Sequence, residues 1–115
     1  MGQGKRRPRW SLAEVRRLAA RERLVLTHAA YDDFPTRSEA LDWIHGVIAE
    51  LRPADFAHTA ALETHTADVY GVLVEGRGWY LKLTLEKDTQ GKLVLVISCH
   101  PVEYELKTLR GVIEP

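Results

Sequence analysis

Asp68-Val69-Tyr70, then Trp79-Tyr80-Leu81-Lys82-Leu83, then Leu93-Val94-Leu95-Val96-Ile97-Ser98-Cys99-His100 decide the fold. Side-chain character alternates with period two through this stretch, the mark of half-buried strands. Trp79, Leu81, Leu83 and Leu85 alternate with Tyr80, Lys82, Thr84 and Glu86. Leu93, Leu95, Ile97 and Cys99 alternate with Val94, Val96, Ser98 and His100. Gly76-Arg77 reads as a two-residue II′ turn, which pairs Val74 with Trp79 and Val72 with Leu81. A loop of Thr89-Gln90-Gly91, with Gly91 left-handed, pairs Asp88 with Lys92 and sets Tyr80 opposite His100. A five-residue loop pairs Tyr80 with Ser98 instead. Both registers place Tyr80, Lys82, Ser98 and His100 on one face and the leucines on the other, because a slip of one residue would bury the charges. The tail Val102–Pro115 offers an edge strand near Tyr104–Leu106.

Upstream the period is 3.6. Ser11 and Glu14 form a capping box, with Trp10 and Val15 in hydrophobic-staple positions. A helix is expected from Leu12 to Arg21 with Leu12, Val15, Leu18 and Ala19 inward. Leu24-Val25-Leu26 reads as a short strand or an extended link. Thr36 and Glu39 cap a second helix whose apolar stripe is Leu41, Ile44, Val47, Ile48 and Leu51, and Pro53 stops it. Ala54-Asp55-Phe56 suits a single helical turn, and the rest up to Thr66 reads as loop. The expected architecture is α+β: two N-terminal helices packed on one face of a small antiparallel β-sheet, with the polar face partly open. Residues 1–9 read as a flexible basic arm and 10–115 as a single domain.

A chain of 115 residues has room for one core. No apolar run is long enough to span a membrane, and the basic start lacks the apolar segment of a secretory signal. One cysteine fits a reducing cytoplasm. The net charge of zero hides an asymmetry: eight lysines and arginines (5, 6, 7, 9, 16, 17, 21, 23) stand against Glu14 and Glu22 in the first 25 residues. Such a segment either meets phosphates or is a solubilising tail with a solvated helix face.

The order of these elements carries a resemblance. A capped first helix, a second helix ending at Leu51, Asp55-Phe56, Asp68-Val69-Tyr70, Tyr80-Leu81-Lys82 and Val96-Ile97-Ser98 together resemble the MqsR (motility quorum-sensing regulator) toxins of bacterial type II toxin–antitoxin pairs. The likeness runs from about Trp10 to His100. It implies a RelE-like fold, metal-independent endonucleolytic cleavage of mRNA without a cofactor, and neutralisation by a cognate antitoxin. The family's lysine two residues after Asp-Phe is here His58. Its glutamine before Asp-Val-Tyr is Ala67. Its tyrosine is kept as Tyr80, and its lysine two residues after the third-strand serine is His100. The loop between Phe56 and Asp68 is shorter than usual in the family, and the tail after His100 is longer.

Metal-free RNA cleavage needs a base for the 2′-hydroxyl, an acid for the leaving 5′-oxygen and positive charge near the phosphorane. Histidine serves either proton-transfer role near neutral pH. His58 and His100 therefore form a candidate acid/base pair, Tyr80 a phosphate or base contact, and Lys82, Arg16 and Arg17 candidate RNA-binding residues. Gly71, beside Lys82 in this register, leaves space for a nucleotide. His65 near Asp68 is a further candidate base or a solvated loop residue. His28 and His45 read as helix-covering, and Trp79, Phe56 and Tyr70 as core. Cys99 and His100 point to opposite faces and cannot share a zinc ion, so no metal is expected, and Cys99 reads as inert core. Glu75-Gly76-Arg77-Gly78 is a hairpin turn rather than a phosphate loop. The expected activity is a cytoplasmic mRNA interferase. The other readings are a non-catalytic RNA- or protein-binding module on the same fold, or an enzyme of small-molecule chemistry using the same His and Tyr.

Overall fold

The computed structural model describes residues 7–115. The first six residues of the basic arm lie outside it. The arm is fixed at its end: the backbone N–H groups of Arg9 and Trp10 donate to the two carboxylate oxygens of Asp68 at 2.8 and 2.9 Å. The Trp10 indole N–H donates to the Thr66 carbonyl.

Helix α1 (Leu12–Ala20) starts as its sequence dictates, with the Ser11 hydroxyl accepting from the Glu14 N–H. Glu14 turns its carboxylate outward to Arg17 and to Lys92. Val15, Leu18 and Ala19 are the buried stripe. Strand β1 (Leu24–Leu26) follows, then a four-residue helix α2 (His28–Tyr31) that Thr27 caps. Helix α3 (Arg37–Glu50) begins at the Thr36 cap and buries Ala40, Ile44 and Ile48. A single 3-10 turn (Pro53–Asp55) leads into β2 (Phe56–Ala61), so half of the segment expected to be loop is a strand.

Strands β3 (Thr66–Val74), β4 (Arg77–Asp88) and β5 (Gly91–Pro101) complete the main sheet, in order β1-β5-β4-β3-β2. The fold is α+β, but the sheet is mixed rather than antiparallel, because β1 runs parallel to β5. Strand β1 lies between α1 and α2, and its partner strand arrives only seventy residues later in the chain, so local pattern carried no sign of the pairing.

Both hairpins differ from expectation in register, yet Tyr80, Lys82, Ser98 and His100 still share one face. The β3–β4 turn is Glu75-Gly76, with φ of 51° and 81°, so Val74 pairs with Arg77 and Val72 with Trp79. Two left-handed residues make a type I′ turn, whose twist matches the strands, one residue before the expected II′ turn. The β4–β5 turn is Thr89-Gln90, pairing Asp88 with Gly91. A bulge at Ile97 restores the missing residue: Leu83 faces Val96 and Lys82 faces Ser98. Tyr80 therefore stands opposite His100 as expected. The bulge also exchanges faces on β5. Val94, Val96 and Cys99 enter the main core with Leu81, Leu83 and Leu85, in place of Leu93, Leu95 and Ile97.

The main core lies between α1, α3 and one sheet face. The opposite face is less open than expected. The tail forms a second, two-stranded sheet, β6 (Leu106–Thr108) with β7 (Gly111–Ile113), rather than an edge strand. Val102, Leu106 and Ile113 bury against Ala57 and Val69 in a separate core. The hairpin's turn is pinned where Leu109 N–H donates to the Phe56 carbonyl and Arg110 N–H to that of Ala54. Gly71 and Gly78 permit this approach. A Cβ on Gly71 would lie 2.6 Å from Leu106 Cδ2, and one on Gly78 2.4 Å from Ile113 Cγ2. The space expected for a nucleotide at Gly71 is thus filled by Leu106, Thr108 and Ile113, and Gly71 faces Tyr80 rather than Lys82.

Candidate functional site

Strand register lays two rows across the tail-bearing face. His58, Val69, Lys82 and Ser98 are successive neighbours across β2, β3, β4 and β5. Gly71, Tyr80 and His100 form the next row. His58, Tyr80, Lys82, Ser98 and His100 line one cavity of about 410 Å³, closed on its far side by Glu103, Tyr104, Glu105 and Leu106 of the tail. Another cleft, about 460 Å³, lies beside Trp43, Val47, Arg52 and Leu73, and no histidine lines it.

Tyr80 and His100 stack, with ring centroids 4.8 Å apart and planes 11° from parallel. His100 Nδ1 lies 2.8 Å from the Pro101 carbonyl oxygen. A carbonyl only accepts, so Nδ1 carries the hydrogen and Nε2 is the basic nitrogen of the neutral ring. Burial pushes the Tyr80 phenol above its ordinary value, so it remains a neutral O–H donor at physiological pH. Lys82 is half-buried and has no ion-pair partner among the described residues. It is the cation nearest the stacked pair in register, one row away.

His58 is exposed on the edge strand. Three strand spacings and one row separate it from His100, roughly 16 Å between Cα positions at ~4.8 Å per strand and ~3.4 Å per residue. The two histidines share the cavity without touching.

Arg16 and Arg17 are not brought to this site. Helix α1 packs on the other sheet face. The Arg16 guanidinium donates to the Leu51 carbonyl at the end of α3, which makes it a link between the two helices. Arg17 pairs with Glu14 in solvent.

The Asp68-Val69-Tyr70 motif is structural. Asp68 is fully buried, and burial raises its carboxyl above the ordinary range despite the Arg9 and Trp10 N–H donors. Val69 supports the tail, and Tyr70 lies in the main core, its phenol raised by burial and by Asp68. His65, in the β2–β3 loop, sits 2.8 Å from Glu86. The Thr64 hydroxyl lies 2.8 Å from the other ring nitrogen, Nδ1. Burial pushes the Cys99 thiol up to about 12, which leaves it protonated and unreactive. No group of three or more His, Cys, Asp or Glu among the described residues is arranged to hold a metal ion.

The tail's contribution was missed in the sequence. Its signal was present: two glycines inside strands, and apolar Val102, Leu106 and Ile113 around a Leu-Arg-Gly turn. No helix among the described residues is long and apolar enough to cross a membrane. No protein-family profile matches the chain, and no curated protein does either.

Proposed function

We propose that this chain is a metal-independent mRNA endoribonuclease with an MqsR-like, RelE-like architecture, the toxin of a type II toxin–antitoxin pair acting in the cytoplasm. The observation that carries the reading is the stacked Tyr80–His100 pair beside Lys82 in a cavity that His58 also lines. His100 Nε2 removes the proton of a 2′-hydroxyl, and the oxygen attacks the adjacent phosphorus. The bond to the 5′-oxygen breaks, leaving a 2′,3′-cyclic phosphate and a 5′-hydroxyl. The Tyr80 O–H donates to a non-bridging oxygen, and Lys82 offsets charge on the phosphorane. His58 stands too far from His100 for both to reach the two apical oxygens of one phosphorus, so the leaving 5′-oxygen takes its proton from water and His58 meets a neighbouring nucleotide of the strand.

The test is cleavage of a labelled mRNA in excess EDTA. Wild type is expected to cut, and His100→Ala to lose at least a hundredfold in rate, the usual scale of a general base. His58→Ala is expected to raise the RNA concentration needed for half-maximal rate and to leave the maximal rate near that of wild type. Intact RNA with wild type, on naked and ribosome-bound message alike, overturns the reading. It would leave the non-catalytic binding module, which the wide separation of the two histidines favours.

A further inference from the structure

The run Glu103-Tyr104-Glu105 is an arch fastened at both ends. Val102 and Leu106 are each buried in the second core, and the Val102 N–H donates to the Gly78 carbonyl. Between these anchors the three residues rise into solvent, and Tyr104 is 82 % exposed. A phenol ring this exposed gains nothing from the fold, yet its anchors hold it on the rim of the cavity of Tyr80, Lys82 and His100. Of the two tyrosines that line the cavity, Tyr104 is the one with a free ring face, since Tyr80 is already covered by His100.

The two flanking carboxylates divide the cavity electrically. Glu103 and Glu105 repel phosphate, while Lys82, which lines the same cavity from the sheet, attracts it. An RNA strand lying here therefore keeps its backbone toward Lys82 and turns a base toward the arch. The base then meets an aromatic plane to stack on and carboxylates that can only accept hydrogen bonds. Adenine, cytosine and guanine offer an exocyclic amino group to such an acceptor. Uracil offers carbonyl oxygens on either side of a single N–H.

We infer that the tail arch is a base-recognition subsite: Tyr104 stacks on one nucleobase of the substrate, and Glu103 or Glu105 selects an amino-bearing base over uracil. The inference rests on the RNA-cleaving reading for its substrate but can be tested apart from it. The arch is distinct from the groups that perform the cleavage, and its residues determine specificity.

The experiment uses the full chain and fluorescent 2′-O-methyl oligonucleotides, which cannot be cut. Binding of the oligoadenylate, oligocytidylate and oligouridylate is followed by anisotropy. In parallel, cleavage of an unmodified mixed-sequence RNA in EDTA is mapped. Wild type is expected to bind the adenylate and cytidylate more tightly than the uridylate. Tyr104→Ala weakens all three by roughly tenfold, the scale of one lost base stack. Glu103→Gln combined with Glu105→Gln, whose amides both donate and accept, erases the discrimination against uridylate. All three side chains are exposed, so the variants fold, which a circular dichroism melt verifies. Wild-type affinity and base preference in every variant overturn the inference, whether or not RNA is cut. Binding with the expected preferences but no cleavage overturns the ribonuclease reading and leaves the subsite standing. Neither binding nor cleavage overturns both, and makes the arch a protein contact instead.

Discussion

Asp68 is a carboxylate sealed from water and met by two backbone N–H donors, those of Arg9 and Trp10. Removing it leaves both donors orphaned beneath the indole of Trp10. Asp68→Ala should cost about 1–3 kcal/mol in urea unfolding at neutral pH. The pH dependence has a definite sign. The folded carboxyl is raised above the ordinary 3.8, so on acidification the folded chain takes up this proton before the unfolded chain does. The group therefore favours the folded state increasingly as pH falls through its raised value, and the gain is complete below 3.8. Urea midpoints across a pH series should show the gap between wild type and Asp68→Ala widening toward acid. A gap that narrows would mean the hydrogen bonds outweigh burial. At this same scale the sequence was partly legible. Ser11 and Thr36 declared their caps, because a cap is decided within four residues. The role of Arg16 was not, because its acceptor, the Leu51 carbonyl, lies on another helix.

Among the elements, β5 shows why a face can be read correctly from an incorrect register. Both possible hairpin loops kept Tyr80, Lys82, Ser98 and His100 together, since each differed by an even number of residues. The loop is in fact one residue shorter, and the bulge at Ile97 supplies the odd residue before the site is reached. Sequence patterning could not locate that bulge, because Val94, Leu95, Val96 and Ile97 are interchangeable in hydrophobicity and the run shows no alternation. Glycines give a sharper test of element packing. Gly78 lies under β7, where an added Cβ meets Ile113 Cγ2 at 2.4 Å and the Glu114 carbonyl oxygen at 3.2 Å. Gly46 lies within α3, where an added Cβ meets nothing within 4 Å. Gly78→Ala should lose about 1–3 kcal/mol through overpacking. Gly46→Ala should gain up to about 1 kcal/mol from helix propensity alone. Thermal melts of the two variants, moving in opposite directions, would support the close seating of the tail. A neutral Gly78→Ala would mean that the hairpin stands off the sheet.

At the scale of the whole molecule the sheet carries two cores, one on each face. The larger joins α1 and α3 to Leu81, Leu83 and Val96. The smaller joins the tail to Ala57 and Val69 and contains five buried apolar residues among those described. Local stability follows buried apolar contact, so the tail hairpin should open at lower free energy than β4 and β5. Ile113→Asp tests this. It puts a charge into the smaller core, where nothing pairs with it, and leaves the larger core untouched. Hydrogen exchange should then accelerate across 106–113. That span includes the Leu109 and Arg110 N–H groups, which donate to the Phe56 and Ala54 carbonyls. Amides of β4 and β5 that bond within the main sheet should keep their protection. The cavity would lose its far wall in the same variant, because Tyr104 and Glu105 are held there only through Val102 and Leu106. Uniform loss of protection across the sheet would instead make the two cores one cooperative unit. The tail would then be as indispensable to folding as the helices.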